Sequence, residues 1–426
     1  MSGFEIVLVI ISLLLLLQVS HSSYLMLYTW SEAKRREQAR APQTFAPAQK
    51  SFTVLLPARN EEEVIQHTIE GVLEANYPLE LMEVVVICRI DDKGTIEKVQ
   101  EKIAELAPRG IQNVRLIVFQ DTPINKPHGL NIGYKYTQND VITIFDSEDQ
   151  IHPDVFNVVN TVMINEGVKV VQSGVQLMNF DSNWFSALNV LEYFFWFKSR
   201  LHYHSDVGII PLGGNTIFFT REILNIIGGW DEHCLTEDAD IGIRLSIMGE
   251  RIRVVYEDAY VTKEETPPSI GQFIKQRTRW NQGFLQVLGQ GVYWQLPKLG
   301  QRLLAFYTLS SPILQSLNAL YVPLALYTMF FTEMPPLVAM ILWLPAYMLI
   351  GQYVINWVGL CDFVEAHNLK MPRLMWLRLL VSFYPFQVLL GISALRAVFR
   401  HLKKNNTWEK TKHVNAHRGS ATGAKA

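Results

Sequence analysis

The sequence is poor in cysteine, and its three cysteines, Cys88, Cys234 and Cys361, lie far apart with no C-x-x-C pair. This spacing argues against a disulfide framework and against a zinc site, and it suits a reducing compartment. The G-x-x-x-x-G-K-[ST] phosphate loop is also missing, as are internal repeats. What is left is a non-repetitive chain of 426 residues, long enough for two domains.

Four long apolar blocks stand out against this background. They are Phe4–Trp30, Leu303–Phe331, Leu337–Cys361 and Leu374–Val398. A membrane-spanning helix needs about 20 apolar residues, which each block supplies. The first block is too long for a signal-peptide core and ends in "YTW" without a small-residue cleavage site. We therefore expect an uncleaved anchor and an integral, multi-pass membrane protein.

Basic residues are spread unevenly around these blocks. "SEAKRREQAR" follows the first block, the tail from Arg400 onward is basic, and the loop Thr332–Pro336 has no base. The positive-inside rule then puts the middle of the chain and the tail in the cytoplasm. Three spans after the middle would put the tail outside, so we expect Leu374–Val398, broken by Pro385, to lie along the interface or re-enter.

The middle of the chain alternates short apolar runs with amphipathic segments. "FTVLLP", "EVVVIC", "VRLIVF", "DVITIF" and "VKVVQSGV" are typical of buried strands, and Asn60–Ala75 is typical of a helix capped by Asn60. This alternation predicts an α/β fold with a mostly parallel sheet and helices on both faces. In such sheets ligands bind beyond the carboxyl ends of the strands, where the polar clusters of this sequence fall.

Three acids follow the fourth predicted strand in the stretch "FDSEDQIHPD". In extended chain Asp146 and Glu148 share a face, and such an oxygen pair favours Mg²⁺ or Mn²⁺ with substrate phosphates completing the shell. The alternative is a helix start with acids in its first turn, opened by Pro153 and Val155.

Four further clusters each have a structural alternative. Asp91 and Asp92 follow the second strand, where an ordinary turn would explain them. The glycines of "LGGN" precede a strand and either admit a ligand or make a tight turn. Thr236-Glu237-Asp238 precedes a helix that Thr236 or Asp238 would cap. "KQRTRWNQG" precedes a membrane block, where basic residues and an interfacial tryptophan are common.

Taken in order, these clusters resemble the signature of the membrane-embedded family 2 glycosyltransferases. That family includes cellulose, hyaluronan and mannan synthases and, more distantly, ceramide glucosyltransferase. "LLPARNEE", "INKPHGLNIGYKY" and, more loosely, the tail segment "NTWEKTKH" look like its other conserved stretches and its gating segment. One departure is that the family's D-x-D metal motif here has Glu148 in third place, followed by Asp149, so either of these is the second ligand.

The resemblance implies a GT-A domain, a Rossmann-like sheet that binds a nucleotide-diphosphate sugar. It implies Mg²⁺ or Mn²⁺ on Asp146 and Glu148. It also implies that Asp91 or Asp92 holds the nucleotide and that Lys126 reaches the uracil or the diphosphate.

For the reaction, the resemblance implies inversion at the anomeric carbon. Asp238 would be the general base, with Glu237 beside it, and Arg279 would meet the leaving phosphate. The expected substrate contacts are Gln276 near the phosphate, Trp280 stacked on the acceptor sugar, and Gly213, Gly214 and Asn215 along the acceptor path.

The aromatic segment Asn183–His204 has two interpretations. It is either an amphipathic element at the membrane surface or the acceptor channel, or it packs the central domain against its membrane helices.

Our leading hypothesis is a metal-dependent β-glycan synthase that passes its polymer through its own membrane helices, with a second copy or an accessory subunit widening the channel. The alternative is a non-processive transferase acting on a membrane lipid. A nucleotide-sugar sensor or a transporter has little support, since the expected acids are present and intramembrane charges are scarce.

The expected division is a membrane anchor at 1–31, a cytoplasmic GT-A domain at 50–300, membrane and interface helices at 301–400 and a cytoplasmic tail at 401–426. We expect a glycan or lipid acceptor, a lipid bilayer and no nucleic acid as partners, in the plasma membrane of a bacterium or archaeon.

Overall fold

The computed structural model of the chain describes residues 3–409. Its α-helices, in chain order, are α1 Gly3–Leu27, α2 Ala33–Ala39, α3 Ile65–Leu73, α4 Lys93–Leu106, α5 Lys126–Lys135, α6 Val155–Glu166, α7 Ser186–Phe195, α8 Leu201–Val207, α9 Arg221–Ile227, α10 Glu237–Ile247, α11 Ile270–Gln290, α12 Leu299–Leu309, α13 Ser311–Phe331, α14 Pro336–Ala366 and α15 Met375–Leu402. Its strands are β1 Phe52–Ala58, β2 Met82–Arg89, β3 Val114–Phe119, β4 Val141–Ile144, β5 Val170–Ser173, β6 Val175–Leu177, β7 Ile217–Thr220, β8 Ile252–Val255 and β9 Thr262–Glu264.

Seven strands form one twisted sheet in the order β3-β2-β1-β4-β7-β5-β8. Strands β1 to β4 are parallel, β5 is parallel to β8, and β7 alone runs antiparallel to its neighbours β4 and β5. The predicted mostly parallel α/β fold is therefore confirmed. The carboxyl ends of β1, β2 and β4 meet at one edge, which collects the polar turns that follow them.

The sheet is covered on both faces by separate hydrophobic clusters. Helices α3, α4 and α6 pack on one face around Val54, Val86 and Phe156. Helices α5, α9 and α10 pack on the other around Leu55 and Phe219. Because both faces are buried, the strands have near-continuous apolar sequences rather than alternating ones.

Two local predictions need correction. The helix predicted at Asn60–Ala75 is α3, which begins at Ile65 rather than at Asn60, with Val64 in the cap position. Asn60 has a left-handed φ of 53°, which asparagine tolerates, and its amide donates to Asp92 Oδ2 at 2.6 Å instead of opening a helix. The run "VKVVQSGV" is split at Gly174, so that β5 joins the main sheet and β6 pairs with β9 in a separate one.

Within residues 3–409, three helices are long and apolar enough to cross a membrane, namely α1, α14 and α15. Helix α1 packs along α14, where Ser12 Oγ donates to Ile341 O at 2.7 Å. The predicted block Leu303–Phe331 is not one helix, because the chain breaks at Ser310 between α12 and α13. The tail prediction falls largely on residues 410–426, which lie outside the described residues.

Helix α15 runs without a break through Pro385, contrary to the prediction that this proline interrupts it. Near its start, Arg378 bonds to Asp181 and Asn183 of the central domain. Near its end, Arg400 Nε donates to Gln282 of α11 at 2.9 Å. Both ends of this helix therefore contact the central domain, and α15 lies alongside α11 between them.

Candidate active site

One cavity of about 1010 Å³ joins the carboxyl edge of the sheet to the apolar helices. At one end its walls come from the turns after β1 and β4 and from the first turn of α5. At the other end they come from α1, α13, α14 and α15. Lys126, Asp146, Glu148, Glu237 and Asp238 line it, together with the predicted residues Gly213, Gly214, Asn215, Gln276, Arg279 and Trp280. The fold thus brings together eleven of the thirteen predicted site residues.

Lys126 lies at the centre of the acids. Asn125 caps α5 by accepting the His128 amide at 3.0 Å, which puts Lys126 in the first turn of the helix. Its Nζ lies 2.5 Å from Asp146 Oδ1 and donates to Gly214 O at 2.9 Å. Burial by itself lowers the pKa of Lys126, but Asp146 and Glu237 raise it above its ordinary value overall. Lys126 is therefore a fixed positive charge in a pocket of carboxylates.

Asp146, Glu148 and Asp149 occupy a turn after β4, and α6 starts only at Val155. The alternative of a helix start is therefore wrong. Asp149 is 1% exposed and accepts hydrogen bonds from the Asp146 amide at 2.8 Å and from Asn215 Nδ2 at 2.9 Å. Asp149 shapes the turn, whereas Asp146 and Glu148 face the cavity.

This pair of carboxylates fits a divalent cation. Residues 3–409 contain no group of three or more His, Cys, Asp or Glu side chains placed to hold a metal, so protein atoms alone would leave the shell incomplete. Mg²⁺ and Mn²⁺ bind with one or two carboxylates when substrate phosphates supply the other oxygens. The open cavity beside Asp146 and Glu148 leaves space for such phosphates.

Asp91 and Asp92 are engaged with the protein instead of lining the cavity. Asp92 is buried and caps α4 through the Thr95 amide, and its second oxygen holds the Asn60 amide. Asp91 pairs with Arg89 at 2.6 Å. Arg89 itself lines the cavity at the sheet edge, so Asp91 is linked to the cavity through this arginine.

The Thr236-Glu237-Asp238 turn opens α10, and Thr236 holds the cap position without a side-chain cap bond. Asp238 Oδ1 accepts the Ala239 amide at 2.8 Å. Burial raises the pKa of Asp238, against lowering by that amide and by Lys126. Burial raises the pKa of Glu237 as well, and Asp238 raises it further. A carboxylate with a raised pKa is a stronger base, which suits proton abstraction.

Glycines allow three close approaches around this turn. A Cβ on Gly214 would lie 3.3 Å from Asp238 Oδ2, and a Cβ on Gly213 would lie 2.9 Å from the ring of Phe197. On the other side, a Cβ on Gly283 would overlap Thr236 Oγ1 at 2.3 Å, so α11 packs directly on the turn. A side chain at Gly214 would displace Asp238, and one at Gly283 would displace Thr236.

Gln276, Arg279 and Trp280 lie on successive turns of α11. Gln276 Oε1 and Arg279 Nε are buried without a hydrogen-bond partner among the described residues. Trp280 stacks under the Arg277 guanidinium at 4.5 Å, and Arg277 pairs with Glu192 at 2.7 Å. The tail completes the wall, since the Trp408 ring lies 4.5 Å from the Arg279 guanidinium.

The segment Asn183–His204 both packs against an apolar helix and lines the cavity. Phe194 and Phe195 pack against α14, while Glu192, Tyr193 and Arg200 line the cavity. Between α7 and α8 the segment forms a π-helical turn, Trp196–Arg200, a feature often found at functional sites. Sequence reasoning gave Arg200 no role, because it belongs to no motif.

Glu264 was missed for the same reason. It is the last residue of β9, lines the cavity, and its Oε1 accepts a hydrogen bond from Asn215. Its only signal in the sequence is an acid in a short polar strand.

The chain is similar in sequence to proteins with assigned functions. The β-monoglucosyldiacylglycerol synthase of Nostoc sp. (strain PCC 7120) is 29% identical over 246 residues, 57% of this chain and 50% of that protein. The poly-β-1,6-N-acetyl-D-glucosamine synthase of Staphylococcus epidermidis is 25% identical over 279 residues, 65% of this chain and 64% of that protein. The chain therefore spans about half to two thirds of the length of these curated relatives.

Among solved structures, the mannosyltransferase PcManGT from Pyrobaculum calidifontis, in complex with GDP-Man and Mn²⁺, has the same fold. It superposes with a TM-score of 0.56 at 18% identity and covers 93% of this chain and 99% of that one. The sequence profile described as "Glycosyltransferase like family 2" matches residues 47–283. More than half of the chain lies in that match, and the chain belongs to the family 2 glycosyltransferases.

Proposed function

We propose that the protein is an inverting, metal-dependent glycosyltransferase that adds sugars to a growing β-glycan at a membrane. The observation that carries the proposal is the single cavity, which runs from the acids at the sheet edge to the apolar helices. A soluble acceptor would need no such path. A glycan that leaves through the membrane would.

At the donor end, Asp146 and Glu148 would hold the cation, which supplies charge neutralisation for the departing diphosphate. Glu148 is preferred to Asp149 as the second ligand, because Asp149 is turned into the protein by its bonds to Asn215 and Asp146. Lys126 and Arg279 would add positive charge on the same side, and Arg89 would reach the nucleotide with Asp91 behind it.

Asp238 would remove the proton from the acceptor hydroxyl. Its carboxylate lies against Gly214, and the rings of Trp280 and Tyr193, 6.1 Å apart, line the same cavity. Attack from the face opposite the leaving group inverts the anomeric carbon, so an α-linked donor gives a β-linked product. Gln276 Oε1 is buried without a hydrogen-bond partner among the described residues, so it could accept a hydrogen bond from a substrate hydroxyl.

The membrane end of the cavity is lined by amides inside apolar helices. They are Gln18 on α1, Gln315 and Asn318 on α13, Gln352 and Asn356 on α14, and Gln387 on α15. Polar side chains are costly within a bilayer and mark substrate paths. Amides both donate and accept, as sugar hydroxyls do. Such a lining supports passage of a neutral glycan.

A lipid acceptor is the second candidate. Leu25 and Met26 of α1 line the same cavity, so an acyl or prenyl chain has an apolar wall to lie against. The β-monoglucosyldiacylglycerol synthase among the relatives bears a lipid product in its name. A transporter or sensor has no comparable support.

We further propose the division made from the sequence: an anchor at 1–31, a cytoplasmic catalytic domain at 50–300, membrane and interface helices at 301–400 and a cytoplasmic tail at 401–426. The contacts at both ends of α15 support an interfacial position for that helix. The tail then stays on the side of the catalytic domain.

The test is to incubate the purified protein in detergent with Mn²⁺ and a panel of UDP- and GDP-sugars. Nucleotide release would identify the donor, and sizing of the labelled product would identify the acceptor class. High-molecular-weight material that a single β-glycanase digests is the expected result. A single lipid-extractable species would instead establish the second candidate, and no release with any donor would contradict both.

A further inference from the structure

Arg200 is a positive charge at the membrane end of the cavity that the proposed chemistry does not use. It ends the π-helical turn after α7 and lines the cavity. Its Nη2 donates to Ser22 Oγ of α1 at 2.9 Å, and no carboxylate among residues 3–409 forms an ion pair with it. Arg277, by contrast, is neutralised by Glu192 at 2.7 Å.

The groups bonded around Arg200 bear hydroxyls, and the charge of Glu192 acts on it without forming an ion pair. Ser22 is bonded to it, and the Tyr307 hydroxyl donates to Gln18 O of α1 at 3.5 Å. Ser22, Gln18 and Tyr307 all line the cavity. A guanidinium has five N–H donors, and its charge is costly in a desolvated place unless an anion offsets it. This environment suits an anionic group brought by a ligand.

The position of Arg200 sets how far an anion bound there would lie from the stacking surface of Trp280. The ring of Tyr193 lies 6.1 Å from that of Trp280, and Phe197 contacts Gly213, so this segment forms part of the acceptor wall. Arg200 follows Tyr193 by seven positions, roughly 10 Å along a helix. That distance leaves room for a short saccharide between an anion at Arg200 and the stacking surface of Trp280.

We propose that Arg200 binds the phosphate that joins a saccharide acceptor to a lipid. The inference rests on the proposed function, for which it names the first acceptor. The saccharide lies between Trp280 and Arg200, the phosphate engages the guanidinium in a bidentate pair, and the hydrocarbon chain lies along α1. For a polymerase this molecule is the primer, and for a lipid transferase it is the substrate.

Binding of simple probes to the full chain in nanodiscs tests the proposal without turnover. Farnesyl phosphate, farnesol and glucose 1-phosphate are titrated by calorimetry against the wild type. We expect farnesyl phosphate to bind about 10- to 100-fold more tightly than farnesol, because its phosphate would form charged hydrogen bonds with Arg200. We expect glucose 1-phosphate to bind weakly, because it lacks the chain. Equal binding of farnesol and farnesyl phosphate would overturn the proposal, as would tight binding of glucose 1-phosphate, which would indicate a free sugar phosphate.

Three variants assign the effect to the side chain. Arg200→Gln should lose most of the preference for phosphate, and Arg200→Lys should fall between it and the wild type, since lysine keeps the charge but not the fork. Arg302→Gln, on α12 and outside the cavity, is the matched control and should bind like the wild type. If Arg200→Gln and Arg200→Lys both kept the full preference, Arg200 would not be the site.

The closing measurement separates this proposal from the proposed function. Nucleotide release from the donor by the wild type tests the glycosyltransferase itself, and Arg200→Gln should bind the donor with Mn²⁺ unchanged. A wild type that releases nucleotide but shows no phosphate preference would refute only the role of Arg200. A wild type that releases no nucleotide with any donor would refute the function, whatever the lipid binding.

Discussion

The two ends of the cavity hold their charged side chains in different ways. At the sheet edge, Lys126 donates to Asp146 and the Ala239 amide donates to Asp238, so each of these carboxylates is held by a donor of the protein. Near the membrane, Arg200 is bonded to the Ser22 hydroxyl and forms no ion pair with a carboxylate among residues 3–409. The first end carries a surplus of carboxylates, which suits a metal ion, whereas the second offers the charge of Arg200 to an anionic ligand.

This difference predicts which substitutions stop chemistry and which weaken binding. Under the proposed function, groups at the sheet edge would touch the reacting atoms, so their loss should act on the rate. Groups near the membrane would hold the acceptor, so their loss should act on its affinity. The four predictions below run from the largest expected effect to the smallest.

Asp238→Asn should reduce transfer by roughly 10²- to 10⁴-fold, because the variant cannot take up the acceptor proton. Donor binding in the presence of Mn²⁺ should be nearly unchanged, as measured by calorimetry. Asp121→Asn, an exposed aspartate outside the cavity, is the control. Substantial turnover by Asp238→Asn would mean that another group is the base.

Glu148→Gln and Asp149→Asn should separate metal binding from folding. Glu148→Gln should weaken Mn²⁺ binding, measured by electron paramagnetic resonance, by about tenfold or more. Its thermal stability should change little. The second should leave Mn²⁺ affinity closer to the wild type and destabilise the fold by about 1–3 kcal/mol, because it disturbs two buried hydrogen bonds. The opposite pattern would make Asp149 the ligand.

Trp280→Ala should raise the KM for the acceptor by roughly tenfold, since a stacking surface is lost, while nucleotide release to water continues. Trp294→Ala is a matched control, because Trp294 is half exposed and outside the cavity. An equal loss of donor affinity in Trp280→Ala would place this ring at the donor end instead.

The pH profile should report the buried base. Burial raises the pKa of Asp238, and only the ionised form accepts a proton. The rate should therefore fall as the pH drops through a value above the ordinary aspartate range near 3.9. Arg279 lowers the pKa of Asp238, so Arg279→Gln should move this acid limb to still higher pH. If the acid limb did not move in Arg279→Gln, the charge of Arg279 would not act on the pKa of Asp238.

The fold could be predicted because its signals are local. The β-branched runs of β1 to β4 are short, bounded by turn residues and buried on both faces. The acids after β4 and before α10 follow directly from these strands and helices. Resemblance to a family then supplied roles that residue types alone left open.

Other features depend on contacts between distant parts of the chain. Asn60 looked like a helix cap, but Asp92, 32 positions away, captures its amide. Asp92 looked like a ligand for the nucleotide and is instead occupied at both oxygens. Arg200 became visible as a cavity residue only once α1 lay beside the π-helical turn, and no local pattern marks it.

The path of α15 bears on how the enzyme can be handled. Arg378 and Arg400 attach it to the central domain at both ends, so this hydrophobic helix completes the wall of the cavity. A fragment ending near residue 300 would keep the acids of the sheet edge but lose Trp408, Phe383 and Gln387 from the wall. We expect such a fragment to bind nucleotide sugars and to hydrolyse them without transfer, because it lacks the half of the cavity that would bind the acceptor.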